Sequence, residues 1–140
     1  MSKKFRKRKG KIRPEQIFNI PVVGEIKKVK TFQKSTTIVL TPEDQIIYIY
    51  ECDENRKTTE VVNVSYQILL DFNWVSIIRF DSEHGYLHRH IRVSVENEIE
   101  VVSTAGVVKK GSPRHWLTWA VEHLKKNYLG YRKNFLKKVS

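Results

Sequence analysis

At 140 residues, with 40% hydrophobic and 11% aromatic side chains, the chain has the size and apolar content of one folded domain and not of a disordered segment. Its formal charge of +11, from 26 Lys and Arg against 15 Asp and Glu, makes polyanions the natural partners. No apolar run reaches the roughly 18–20 residues of a membrane span, and Cys52, the single cysteine, excludes an internal disulfide and a cysteine-based zinc cluster.

The charge is concentrated at the start of the chain. Lys3, Lys4, Arg6, Lys7, Arg8, Lys9, Lys11 and Arg13 stand within residues 1–13 without one acidic residue. Like charges repel, and little here can be buried, so this arm is expected to be disordered and to bind nucleic acid by counterion release. A solubilising tail with no partner is the plainer reading of the same residues. No apolar segment follows the arm as a secretory signal requires, and a reducing cytoplasm is the expected compartment for the lone thiol.

Residues 14–140 are expected to form a single α+β domain. Pro14 is placed to open a short helical turn, and Pro21 and Gly24 punctuate the approach to a Lys-rich segment. The pattern then turns to sheet. Thr36–Leu40 and Gln45–Tyr50 are β-branched and aromatic runs split by Thr41-Pro42-Glu43-Asp44. Val62, Val64, Tyr66 and Ile68 alternate with Asn63, Ser65 and Gln67, the period of a half-buried strand. Trp74–Phe80 and Leu87–Val95 frame a hairpin, and Ile99–Ser103 follows a polar turn. Consecutive strands with short connections predict an antiparallel meander of about six strands.

The period changes at the end. Ser112-Pro113 is a helix start signal, and Trp116, Ala120, Leu124, Tyr128, Tyr131 and Phe135 recur at spacings of three and four. One long C-terminal helix should therefore cover one face of the sheet, with Gly130 marking a bend or an early end and Trp119 exposed.

The hairpin carries the chemistry. Alternation places His88, His90 and Arg92 on one side of a strand, about 6.5 Å apart, with Asp81 and His84 in the adjoining loop. Two imidazoles can act as base and acid near neutral pH, while an arginine holds a phosphate. That set suffices for RNA cleavage by its own 2′-hydroxyl without a metal. The same histidines with Asp81 or His84 have the donor types of a zinc, manganese or iron site, although adjacent arginines repel a cation. They also read as the polar face of an exposed hairpin in ordinary hydrogen bonds. The chain has no Walker loop, Gly-x-Gly-x-x-Gly, His-Glu-x-x-His or Gly-x-Ser-x-Gly motif, and no cofactor is expected.

The run Phe80-Asp81, a short loop with His84-Gly85, then His88-Arg89-His90 and a C-terminal helix, resembles the TumE-type toxins over about residues 66–136. The resemblance implies a protein that acts on RNA and is neutralised by an antitoxin, with Asp81, His88 and His90 at matching positions. The basic arm departs from that pattern and equally suits a ribosome- or nucleic-acid-binding factor. The leading expectation is a metal-independent endoribonuclease, with His88 and His90 as acid and base, Arg92 on the phosphate and Asp81 orienting a histidine.

Overall fold

Polar turns of a few residues join the β-branched runs, so each strand pairs with its neighbour in sequence. In the computed structural model, β1 (Thr31–Thr41), β2 (Asp44–Asp53), β3 (Thr58–Leu70), β4 (Asn73–Asp81), β5 (His88–Arg92) and β6 (Glu100–Ser103) form one antiparallel sheet in that order. A single helix, α1 (Pro113–Val139), packs on one face, mainly against β3. The expected α+β meander with one long C-terminal helix is the fold observed.

The structure describes residues 30–96, 100–103 and 110–139, with the backbone alone at 84 and 100–103. Thr31–Ser140 is one compact unit. The arm at 1–13, its eight cations and the expected turn at Pro14 lie outside the described residues.

Paired residues on antiparallel strands face the same side. Ile46, Val64, Tyr66, Ile68, Ile78 and Phe80 are all 0–1% exposed and form the sheet's half of the core. Tyr66 meets Tyr128 edge-to-face, and Phe80 meets Trp119 in the same way, which identifies this as the helix side. Trp116, Ala120, Val121, Leu124 and Phe135 supply the other half.

Of four register shifts among the described strands of the sheet, two fall among the core residues of β3 and β4. On β3 the pairing steps from Ile49↔Asn63 to Tyr50↔Val61, so Val62 is the extra residue and Val61 takes the buried place. On β4 it steps from Tyr66↔Ile78 to Gln67↔Ser76, which leaves both Ile77 and Ile78 buried.

The helix starts as predicted. Ser112 Oγ accepts a hydrogen bond from His115 N at 3.3 Å. Gly111 precedes it at φ +117, and a Cβ there would fall 2.9 Å from the His115 ring. Gly130 does not end the helix, which runs on to Val139. Trp119 is half-buried against Phe80 and His123, and Trp74, 42% exposed, is the more open tryptophan.

Candidate functional site

Arg79 and Asp81 alternate with Phe80 and therefore project from the sheet face opposite α1. The β4–β5 register pairs Arg79 with His90 and Asp81 with His88, placing all four on that side. The end of β4 is clamped there by Ser82. Its backbone N–H donates to Val61 O at 2.9 Å, and its hydroxyl accepts from Val61 N at 2.9 Å.

Asp81 is the centre of the cluster and only 7% exposed. Its Oδ1 accepts from Glu83 N at 3.2 Å, at the start of the one-turn 3₁₀ helix Glu83–Gly85. Its Oδ2 lies 2.9 Å from Arg79 Nη1 and 2.9 Å from His90 Nε2. Arg79 Nη2 stands 3.3 Å from the other ring nitrogen of His90, Nδ1. A guanidinium only donates, so Nδ1 is the accepting nitrogen and the ring proton is assigned to Nε2, which faces the carboxylate at ion-pair distance without hydrogen-bond geometry. One carboxylate, one imidazole and one guanidinium thus contact each other pairwise.

The expected residues are distributed unevenly around this centre. Asp81 and His90 are brought together. His88 faces the same side, 9% exposed, with its ring centroid 4.2 Å from that of Tyr86. Arg92 is engaged with the backbone. Its Nε donates to Ser94 O at 2.7 Å and its Nη2 to Val95 O at 2.8 Å, which turns the guanidinium onto the chain that follows β5. The side chain of His84 lies outside the description.

Arg79 holds the position by His90 that Arg92 was expected to occupy, and only the register shows this. Counting outward from the loop places Arg79 beside Asp81 on one face, but its partner across β5 depends on where the strands pair. Ser65 is the other residue missed. It lies opposite Arg79 in register, is wholly buried, and its hydroxyl has no hydrogen-bond partner among the described residues.

Among the described residues no three His, Cys, Asp or Glu side chains form a metal-binding group. The cationic Arg79 on the Asp81 carboxylate opposes a metal at this cluster electrostatically.

These features define an α+β domain with one helix on a six-stranded meander and an Asp–His–Arg cluster on the sheet face opposite the helix. Residues 30–140 match DUF7718, a domain of unknown function, and the chain belongs to that family. No curated protein and no solved structure matches the chain. The matched segment contains the whole Asp81–His90–Arg79 cluster, and the basic arm precedes it. No helix among the described residues is long and apolar enough to cross a membrane.

Proposed function

We propose that the protein acts on RNA in the cytoplasm as a metal-independent endoribonuclease, of the toxin type that the TumE resemblance implies and with an antitoxin as its protein partner. The observation that carries this reading is the shared contact of Asp81 Oδ2 with His90 Nε2 and Arg79 Nη1, each at 2.9 Å. A carboxylate beside one ring nitrogen favours the tautomer that leaves the other free to accept a proton, the arrangement a general base needs. Arg79, with its side chain 31% exposed, can turn toward a phosphate and uncover Nδ1 as it does so.

In this reading His90 Nδ1 takes the 2′-hydroxyl proton, O2′ attacks phosphorus, and the bond from phosphorus to O5′ breaks. His88 protonates the departing 5′-oxygen, and Arg79 balances the charge that develops on the phosphate. The products are a 2′,3′-cyclic phosphate and a 5′-hydroxyl.

Full-length protein incubated with mixed RNA in EDTA should yield fragments with those ends. His90→Ala should lower the rate by about 10²–10⁴-fold, and Asp81→Asn should also lower it. Arg92→Ala should leave the rate per folded molecule unchanged. An absence of cleavage, or cleavage indifferent to His90→Ala, sinks the reading.

A second reading has its own support in the eight cations of residues 1–13, which precede the family domain. In it the arm binds nucleic acid without catalysis. Deleting 1–13 should then abolish RNA binding and flatten its salt dependence, while the circular dichroism of the domain is retained.

A further inference from the structure

On the helix side of the sheet, away from the Asp81–His90 cluster, a groove of about 840 Å³ opens between the outer strands β1 and β2 and the first turns of α1. We propose that this groove binds a nucleotide, with the base against its aromatic wall and the phosphate on three cations.

The register builds the wall. Lys34 pairs with Tyr50, Phe32 with Cys52, and Cys52 with Thr58, so these side chains share one face. It is the helix face, because Tyr50 lies two and four residues beyond Tyr48 and Ile46, whose partners on β3 are the core residues Val64 and Tyr66. Phe32, 44% exposed, and Tyr50 form an aromatic surface, with the buried Cys52 and Thr58 beneath. Leu117 and Thr118 of α1 close the opposite side.

The cations come from three elements: Lys34 from β1, Arg56 from the β2–β3 turn and Arg114 from α1. None makes an ion pair with another described residue. Two carboxylates, Asp53 and Glu54, also line the groove. Asp53 Oδ1 is held in the turn, accepting from Asn55 N and Lys57 N at 2.9 Å each. The cations outnumber the acids, and one acid is already engaged.

Both arginines sit where local structure disfavours them. Arg56 has φ +66, a left-handed conformation that glycine adopts freely and a side chain resists. Arg114 is in the first turn of α1, which contains no acidic residue, and there a positive charge opposes the helix dipole. An anion in the groove relieves the second conflict directly and gives the first a purpose.

The size and walls indicate more than inorganic phosphate. A volume of this order suits a small organic ligand, and aromatic surface beside cations is the combination that stacks a base while holding its phosphate. Since the groove and the Asp81 cluster lie on opposite faces, the proposal does not depend on RNA cleavage.

The test is calorimetric titration of the full-length protein with ADP, adenosine and inorganic phosphate, none of which a ribonuclease can cleave. ADP should bind at least about ten-fold more tightly than either fragment. Arg114→Ala and Arg56→Gly should each weaken ADP binding about ten-fold or more. Arg56→Gly removes backbone strain, so its melting temperature should equal or exceed the parent's, which separates loss of the site from loss of the fold. Bound ADP should also slow labelling of Cys52 by a thiol reagent. ADP binding no tighter than phosphate overturns the proposal, as does affinity unchanged in Arg56→Gly, which would place the nucleotide on the basic arm.

Discussion

Arg132, in the last turns of α1, grips the carboxylate of Asp44 at the head of β2, with Nη1 3.0 Å from Oδ2 and 3.2 Å from Oδ1. Asp44 is 1% exposed and also accepts the hydroxyls of Tyr66 and Thr41. Burial, then the hydrogen bond to Asp44, pushes the Tyr66 hydroxyl far above its ordinary range, so Tyr66 keeps its proton and stays a donor. Arg132→Ala would leave a buried carboxylate with neutral partners only. It should cost about 3 kcal/mol and lower the melting temperature by roughly 10 °C. Asp44→Asn with Arg132→Met should recover part of that loss. An Arg132→Ala protein that melts with the parent would show that the hydroxyls alone hold Asp44.

His123 makes stability depend on pH. Its Nε2 lies 2.6 Å from the Tyr131 hydroxyl, and its ring packs against Trp119 and Phe80. Burial, followed by the positive charge of Arg89, holds the imidazole below its ordinary value of 6.5. The folded state therefore takes up this proton less readily than the unfolded chain. The resulting stability is fully present above 6.5 and is lost as pH falls from 6.5 toward the depressed folded value. Urea unfolding as a function of pH should show a shallower fall below 6.5 in His123→Gln than in the parent. Equal slopes would assign the dependence to other groups.

The β3–β4 turn can be improved. Asp71 and Phe72 connect the paired Leu70 and Asn73, with φ +50 and +67. Both central residues of such a two-residue hairpin turn must be left-handed, which Asn-Gly achieves without steric conflict and Asp-Phe does not. Phe72 is 98% exposed and loses little packing if replaced. Asp71→Asn with Phe72→Gly should stabilise the domain by about 1 kcal/mol, read as a higher urea midpoint at unchanged slope. A lower midpoint would show that Phe72 contributes contacts outweighing the strain.

Much of this protein was determined by interactions that are local in the chain. Short polar turns between β-branched runs dictate a meander, because consecutive strands so joined can only pair antiparallel. Ser112-Pro113 and the spacing of Trp116, Ala120 and Leu124 determine where the helix begins and which side it buries, since capping and periodicity act within a few residues. The clustering of Asp81 and His90 was also legible, because both flank one short loop. The tertiary structure alone decided the rest. A bulge at Val62 and another at Ile77 shift which side chains face the core, and neither announces itself in composition. Arg79 takes the place beside His90 while Arg92 turns to Ser94 and Val95, because a charged side chain answers to the nearest partner in space. Asp44 and Arg132 stand 88 positions apart and meet only when α1 lies across the sheet. Packing, register and burial are properties of the assembled chain, and they select among pairings that local sequence leaves equally open.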